Sequence, residues 1–146
     1  MRFKYETTVY NSIEAVWELI TDVNRRSEWI HFIDECHYTH KKDSFVGSKF
    51  SEKMVFLRIP LTLEQTISDY KEHSVFNYGC KIPPFYPKVF VTAKDNKDGS
   101  VYVSLEFDIK MGAFILVPKK IINKQVDHIM LPLVNEFKNL IDLPRS

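Results

Sequence analysis

Three side chains in the middle of the chain have the types and spacing to do chemistry together: Glu52, Gln65 and Tyr78. Glu52 interrupts an apolar series, Phe50, Met54 and Phe56, in "KFSEKMVF". Alternation at period two puts all four on one face of a strand. The next run, "LTLEQTI", reads as the antiparallel partner. A tight turn centred on Arg58 and Ile59 sets Phe50 opposite Ile67, Glu52 opposite Gln65, Met54 opposite Leu63 and Phe56 opposite Leu61. The other face then pairs Lys53 with Glu64 and Ser51 with Thr66, a solvent-suited set with one favourable charge pair. A register slip of two residues leaves both faces unchanged. On the following strand Tyr78 shares a face with Phe76 and Cys80. A carboxylate, an amide and a phenol therefore converge on an otherwise apolar surface. An unpaired buried carboxylate costs several kcal/mol, so something must satisfy Glu52. One reading makes it the polar anchor of a ligand, with a raised pKa unless a cation pairs with it. The other gives it a structural partner or an open rim.

Other constellations are weaker. His31, His37 and His40 are close in sequence, but 37 and 40 point to opposite faces of a strand, whereas zinc needs convergent ligands. No metal site and no cofactor are expected. With only 4 glycines there is no phosphate-binding loop, and no GxSxG nucleophile motif occurs. Lys119 and Lys120, following "AFILVP", suit a membrane surface or, more simply, the solvated face of a helix.

These residues need a frame. At 146 residues, 45% hydrophobic and 27% charged, the chain reads as one ordinary globular domain over residues 1–146. A net charge of +1 argues against a nucleic-acid partner and against a polybasic membrane module. The longest apolar stretch, near "MGAFILV", is far short of a span, so no stable membrane insertion is expected. No signal-peptide pattern opens the chain, and Cys36 and Cys80 read as reduced thiols in strands. A cytoplasmic monomer or weak homodimer is the expectation.

"FKYETTV" alternates as a first strand. Asn11 offers an N-cap with Glu14 three residues on, before Ile13, Val16, Trp17 and Ile20 at helical spacing. Asp22 and Asn24 end that helix, and residues 25–29 form a second short helical turn. Six further strands are predicted near 33–39, 47–56, 61–70, 75–82, 88–94 and 101–110. "KDNKDGS" is a turn between two of them, and "IPPFYP" is excluded from strand interiors by its prolines. A long helix beginning between Ala113 and Lys119 carries Val126, Met130, Val134 and Phe137 toward the sheet. Pro132 should kink it. One antiparallel sheet buries one face, and only the long helix is large enough to cover it.

This order of elements resembles the helix-grip superfamily: START-like domains, polyketide cyclase/dehydrase-like proteins and the birch-pollen-allergen group. The residues that carry the resemblance are Asn11 and Ser12, Val16 and Trp17, Asp22, Trp29, and the glycines Gly47 and Gly112. It extends over essentially the whole chain. It implies an α+β helix-grip fold: a seven-stranded antiparallel sheet curled around the C-terminal helix, with a cavity between them closed at one end by two short helices. Trp17 and Trp29 would be core plugs there.

Three functions compete. The favoured one, non-enzymatic, is binding or transport of a small hydrophobic or amphipathic ligand, such as a lipid or polyketide-like compound, in a pocket of roughly 300–1,000 Å³. Its lining would be Phe50, Glu52, Met54, Phe56, Gln65, Ile67, Phe76, Tyr78, Phe107, Val126, Met130 and Val134, with Phe85 or Tyr86 at the entrance. The second is a cyclase- or dehydratase-like enzyme using Glu52 and Tyr78 as its acid and base. The third is a ligand-free interaction module of the chaperone-activator type.

Overall fold

A seven-stranded antiparallel sheet forms the frame of the computed structural model, which describes residues 1–56, 58–110 and 116–144. The strands are β1 (Arg2–Val9), β2 (Ile33–His40), β3 (Lys49–Phe56), β4 (Ile59–Lys71), β5 (Val75–Gly79), β6 (Lys88–Asp95) and β7 (Val101–Asp108). Their spatial order is β1-β7-β6-β5-β4-β3-β2, so β1 and β2 lie at opposite edges. The segment between them, α1 (Ile13–Thr21) and a 3₁₀ helix (Val23–Glu28), has to cross the inner face. The last helix, α2, spans Lys119–Ile141.

Alternation builds the inner face. Phe3, Tyr5 and Val9 of β1, Phe50 and Met54 of β3, Ile67 of β4, Phe76 and Tyr78 of β5, and Val101 and Val103 of β7 are all buried. Val16, Trp17, Leu19 and Ile20 of α1 close this core, with Met130, Leu133, Phe137 and Ile141 of α2. Both tryptophans are plugs: Trp29 meets Phe137 edge-on at 5.0 Å, and Trp17 donates from Nε1 to the Tyr70 hydroxyl at 3.0 Å.

Three expectations change. The β3–β4 register is shifted by two: Phe50 faces Gln65, Glu52 faces Leu63, Met54 faces Leu61 and Phe56 faces Ile59. The turn thus falls one residue earlier than expected, with Arg58 at φ 66°, and Leu57 lies outside the described residues. Both registers keep the same side chains inward, so periodicity had no power to choose between them. Second, β5 stops at Gly79 and leaves Cys80 beyond it. The chain folds back there, with the Pro87 carbonyl 2.9 Å from where a Gly79 Cβ would stand. Third, Ser12 rather than Asn11 caps α1, accepting from the Ala15 amide at 3.2 Å. Asn11 instead donates to the Ile141 carbonyl at 2.9 Å and so ties the start of α1 to the end of α2. Pro132 lies inside α2, at an exposed position of a helix that continues from Lys119 to Ile141. Gly112 and the early part of the predicted helix start lie outside the described residues.

Candidate functional site

Arg26 is the residue that organises the inner face. Asp22 opens the 3₁₀ helix, accepting from the Asn24 amide at 3.1 Å. Three residues per turn bring every third side chain to the same side. Val23, Arg26 and Trp29 therefore all point inward and are buried, while Arg25 remains outside and pairs with Glu28 at 2.7 Å.

Arg26, 3% exposed, reaches Glu52, 2% exposed. Its Nε and Nη2 donate to the same carboxylate oxygen, Oε2, at 3.2 and 3.1 Å, and Nη2 also donates to the Tyr78 hydroxyl at 2.7 Å. The guanidinium lies over the rings of Tyr78 (4.9 Å) and Phe50 (5.3 Å). Planar, delocalised and weakly hydrated, an arginine tolerates this confinement better than a lysine would. Glu52 is therefore neither in solvent nor unpaired: its demand for a partner is met from a helix 26 residues upstream.

The electrostatics follow from burial. It opposes the charge on Arg26, yet Glu52 and Tyr78 outweigh it and hold the guanidinium firmly protonated. Burial also raises the Tyr78 phenol, against the pull of Arg26, so this hydroxyl stays protonated. Cys36 stands opposite Glu52 on β2, and burial pushes its thiol up to about 12. Cys80 is pushed to about 11 by burial and by Glu52. Both cysteines are free and poor nucleophiles.

Gln65, 6% exposed, sits one diagonal step from both Glu52 and Tyr78 in the observed register. Its Oε1 is buried without a hydrogen-bond partner. Phe50, Met54, Ile67 and Phe76 make the apolar floor around this group, with Phe50 and Phe76 edge-on or tilted to Tyr78 at 5.2 and 5.5 Å. Phe107 lies apart from it, stacked on Phe3 at 4.8 Å. Phe85 is half-buried, and Tyr86 is exposed with Lys110 over its ring at 4.7 Å.

The space above the floor is uneven. Where β7 ends and β3 turns into β4, the inner-face side chains Phe56, Leu61, Leu63, Val89 and Phe107 are only half-buried. At the other end Val9, Val101 and Phe76 are sealed. The same gradient runs along α2: Met130, Leu133, Phe137 and Ile141 are buried, while Ile122, Val126 and Ile129 are half-buried. The C-terminal half of the helix is clamped, and its N-terminal half leaves a wedge of partly exposed apolar side chains. Val134 borders a small, partly open pocket of about 30 Å³, lined also by Tyr5, Ile20, Trp29 and Phe137. That is far below the roughly 300–1,000 Å³ of an ordinary ligand pocket. A groove of about 290 Å³ lies on the outer face, lined by Arg2, Phe90 and Tyr102 among others, away from the Arg26 cluster.

No family model matches the chain, and no curated protein matches it by sequence. Solved structures do match. A START superfamily protein from Mycobacterium smegmatis superposes with a TM-score of 0.79 at 12% identity, covering 96% of each chain. The major latex-like protein 151 of Panax ginseng gives 0.72 at 13% identity over 99% of this chain and 98% of its own. The di-domain ARO/CYC protein BexL gives 0.77 at 9% identity, over 95% of this chain and 45% of its own. The protein thus has the helix-grip fold of START-like proteins, with its sheet, short helices and C-terminal helix in the expected order.

Proposed function

We propose that the protein binds a small hydrophobic or amphipathic molecule in the wedge between the sheet and the N-terminal half of α2. The observation that carries this reading is the half-buried apolar lining that ends in a buried polar group. Phe56, Leu63, Ile122 and Val126 would cover the ligand body. The unpartnered Gln65 Oε1 would accept from a ligand hydroxyl or amine. An orphaned carbonyl oxygen costs about 1–3 kcal/mol, which a donor on the ligand would recover. The clamped half of α2 keeps the fold closed while the other half moves to admit the guest. Glu52 serves as the counter-ion that holds Arg26 in place. This pairing also disfavours the Glu52–Tyr78 enzyme reading, because the carboxylate is engaged and the phenol is held protonated.

Native mass spectrometry of protein purified from its own source tests this. The expected result is a non-covalent mass excess that disappears on denaturation and is lost in Val126→Trp, which fills the wedge. A bare mass for the native protein, with an unfolding temperature unmoved by fatty acids or aromatic polyketides, overturns it.

A further inference from the structure

We infer that the end of the molecule where α2 begins is a docking face for an anionic lipid surface. The antiparallel order brings four connections to one end of the sheet: residues 29–32 leading into β2, the β3–β4 turn, residues 80–87 between β5 and β6, and the described residues 109–110 and 116–118 before α2. Two of them are joined, since the Lys110 amide donates to the Phe85 carbonyl at 2.9 Å and the Lys110 ammonium lies over Tyr86. The C-terminus of α2 is tied to Tyr10 and Asn11 at the opposite end, so the first turn of the helix belongs to this one.

Large apolar side chains are exposed here together. Leu116 is 93% exposed, Ile59 57% and Ile121 52%, and Val55, Tyr86 and Val117 are exposed beside them. These are six of the ten exposed large hydrophobic residues among the described ones. Singly exposed apolar residues need no explanation, but a group on the connections and the adjoining strand and helix ends at one end of the fold does. Charge then selects the occupant. These connections and the first turn of α2 contain Arg58, Lys81, Lys110, Lys119 and Lys120 and no Asp or Glu. Two acids border this end: Asp108, at the end of β7, faces the N-terminal ammonium at 3.5 Å, and Asp34, at the start of β2, is exposed and outnumbered by these five cations. In a chain of net charge +1, one end is thus basic and apolar. Lysines flanking exposed leucine and isoleucine match a headgroup layer, with the apolar side chains entering the acyl boundary and the ammonium groups on anionic headgroups. A second protein would need a matched surface; a bilayer needs only this composition.

The test is co-sedimentation of the full chain with vesicles of phosphatidylcholine alone and of equal parts phosphatidylcholine and phosphatidylserine. Binding is expected only to the anionic vesicles, and it should weaken as salt rises. Lys119→Glu/Lys120→Glu removes two basic residues, each worth about fivefold, so affinity should fall at least 25-fold, roughly. Leu116→Asp/Ile121→Asp should weaken binding by roughly tenfold or more. Leu131→Asp, exposed elsewhere on α2, should leave it unchanged. All these positions are exposed, and an unchanged urea midpoint confirms intact folding. Absence of binding to anionic vesicles, or equal loss with Leu131→Asp, overturns the inference. So does concentration-dependent dimerisation abolished by Leu116→Asp/Ile121→Asp, which would assign the face to a second copy. The vesicle assay needs no guest in the wedge, so the inference stands or falls separately from the proposed ligand.

Discussion

Removing the carboxylate of Glu52 should cost more than most single substitutions in this protein. Glu52→Gln keeps the size and shape but leaves the Arg26 charge buried without its counter-ion. Breaking one partner of a buried ion pair costs about 3–5 kcal/mol, because the remaining charge is uncompensated. The site sits at the severe end of that range: both groups are almost fully buried, and among the described residues the guanidinium's other hydrogen bond is to a neutral phenol. At about 2–4 °C per kcal/mol for a domain near this size, the unfolding temperature should drop by roughly 10 °C. Urea unfolding followed by the fluorescence of Trp17 and Trp29 reads the change directly, with the slope unaltered if only stability is affected. The decisive comparison is the triple replacement Arg26→Met/Glu52→Leu/Tyr78→Phe. It removes the whole polar group together with its desolvation cost, so it should be less destabilised than Glu52→Gln. A Glu52→Gln protein within about 0.5 kcal/mol of wild type would refute the buried-pair argument, since that is the range of surface substitutions. So would a triple variant as damaged as the sum of its parts.

Truncations along α2 should report its two halves: Phe137→Ala should cost about 3–5 kcal/mol in urea unfolding, and Val126→Ala well under half of that, whereas equal costs would contradict the wedge. Tyr70→Phe should cost about 1 kcal/mol by depriving the Trp17 indole N–H of its acceptor; no measurable change would argue against that hydrogen bond. Stability should fall as pH rises above about 9, where unfolded cysteines release protons, because folded Cys80 and Cys36 keep theirs to about 11 and 12. A urea midpoint that is flat from pH 8 to 10.5 would contradict this. The same raised values predict slow iodoacetamide labelling of both thiols in native protein and fast labelling in urea, while equal rates would show the thiols to be accessible.

Much of the architecture was legible because it rests on short-range periodicities. Alternation in β1, β3 and β4, helical spacing at Ile13, Val16, Trp17 and Ile20, and the apolar stripe of α2 each state which side chains must leave water. The family resemblance then gave their order a form. Register was less legible. The two-residue slip between β3 and β4 exchanges Gln65 for Leu63 opposite Glu52, yet hides nothing from the core and exposes nothing new. The left-handed backbone at Arg58 marks the turn that decides it. Alternation therefore places Phe50, Met54, Gln65 and Ile67 on the buried face, while their cross-strand neighbours depend on the register.

Arg26 was missed for a different reason. In "DVNRRSEW" two arginines stand side by side, and α-helical spacing gives no cause to bury either. Only the three-residue period of a 3₁₀ helix aligns Val23, Arg26 and Trp29, and that was the signal available. The sequence by itself determined that Glu52 lies on a buried apolar face and must be satisfied, since alternation and the cost of desolvating a carboxylate are local facts. Which cation satisfies it was decided by the tertiary structure alone. The crossing from β1 to β2 carries the 3₁₀ helix over the sheet and sets one guanidinium within 3.1 Å of a carboxylate 26 residues away. No local pattern encodes such a distance, because it depends on how the whole sheet curls beneath that helix.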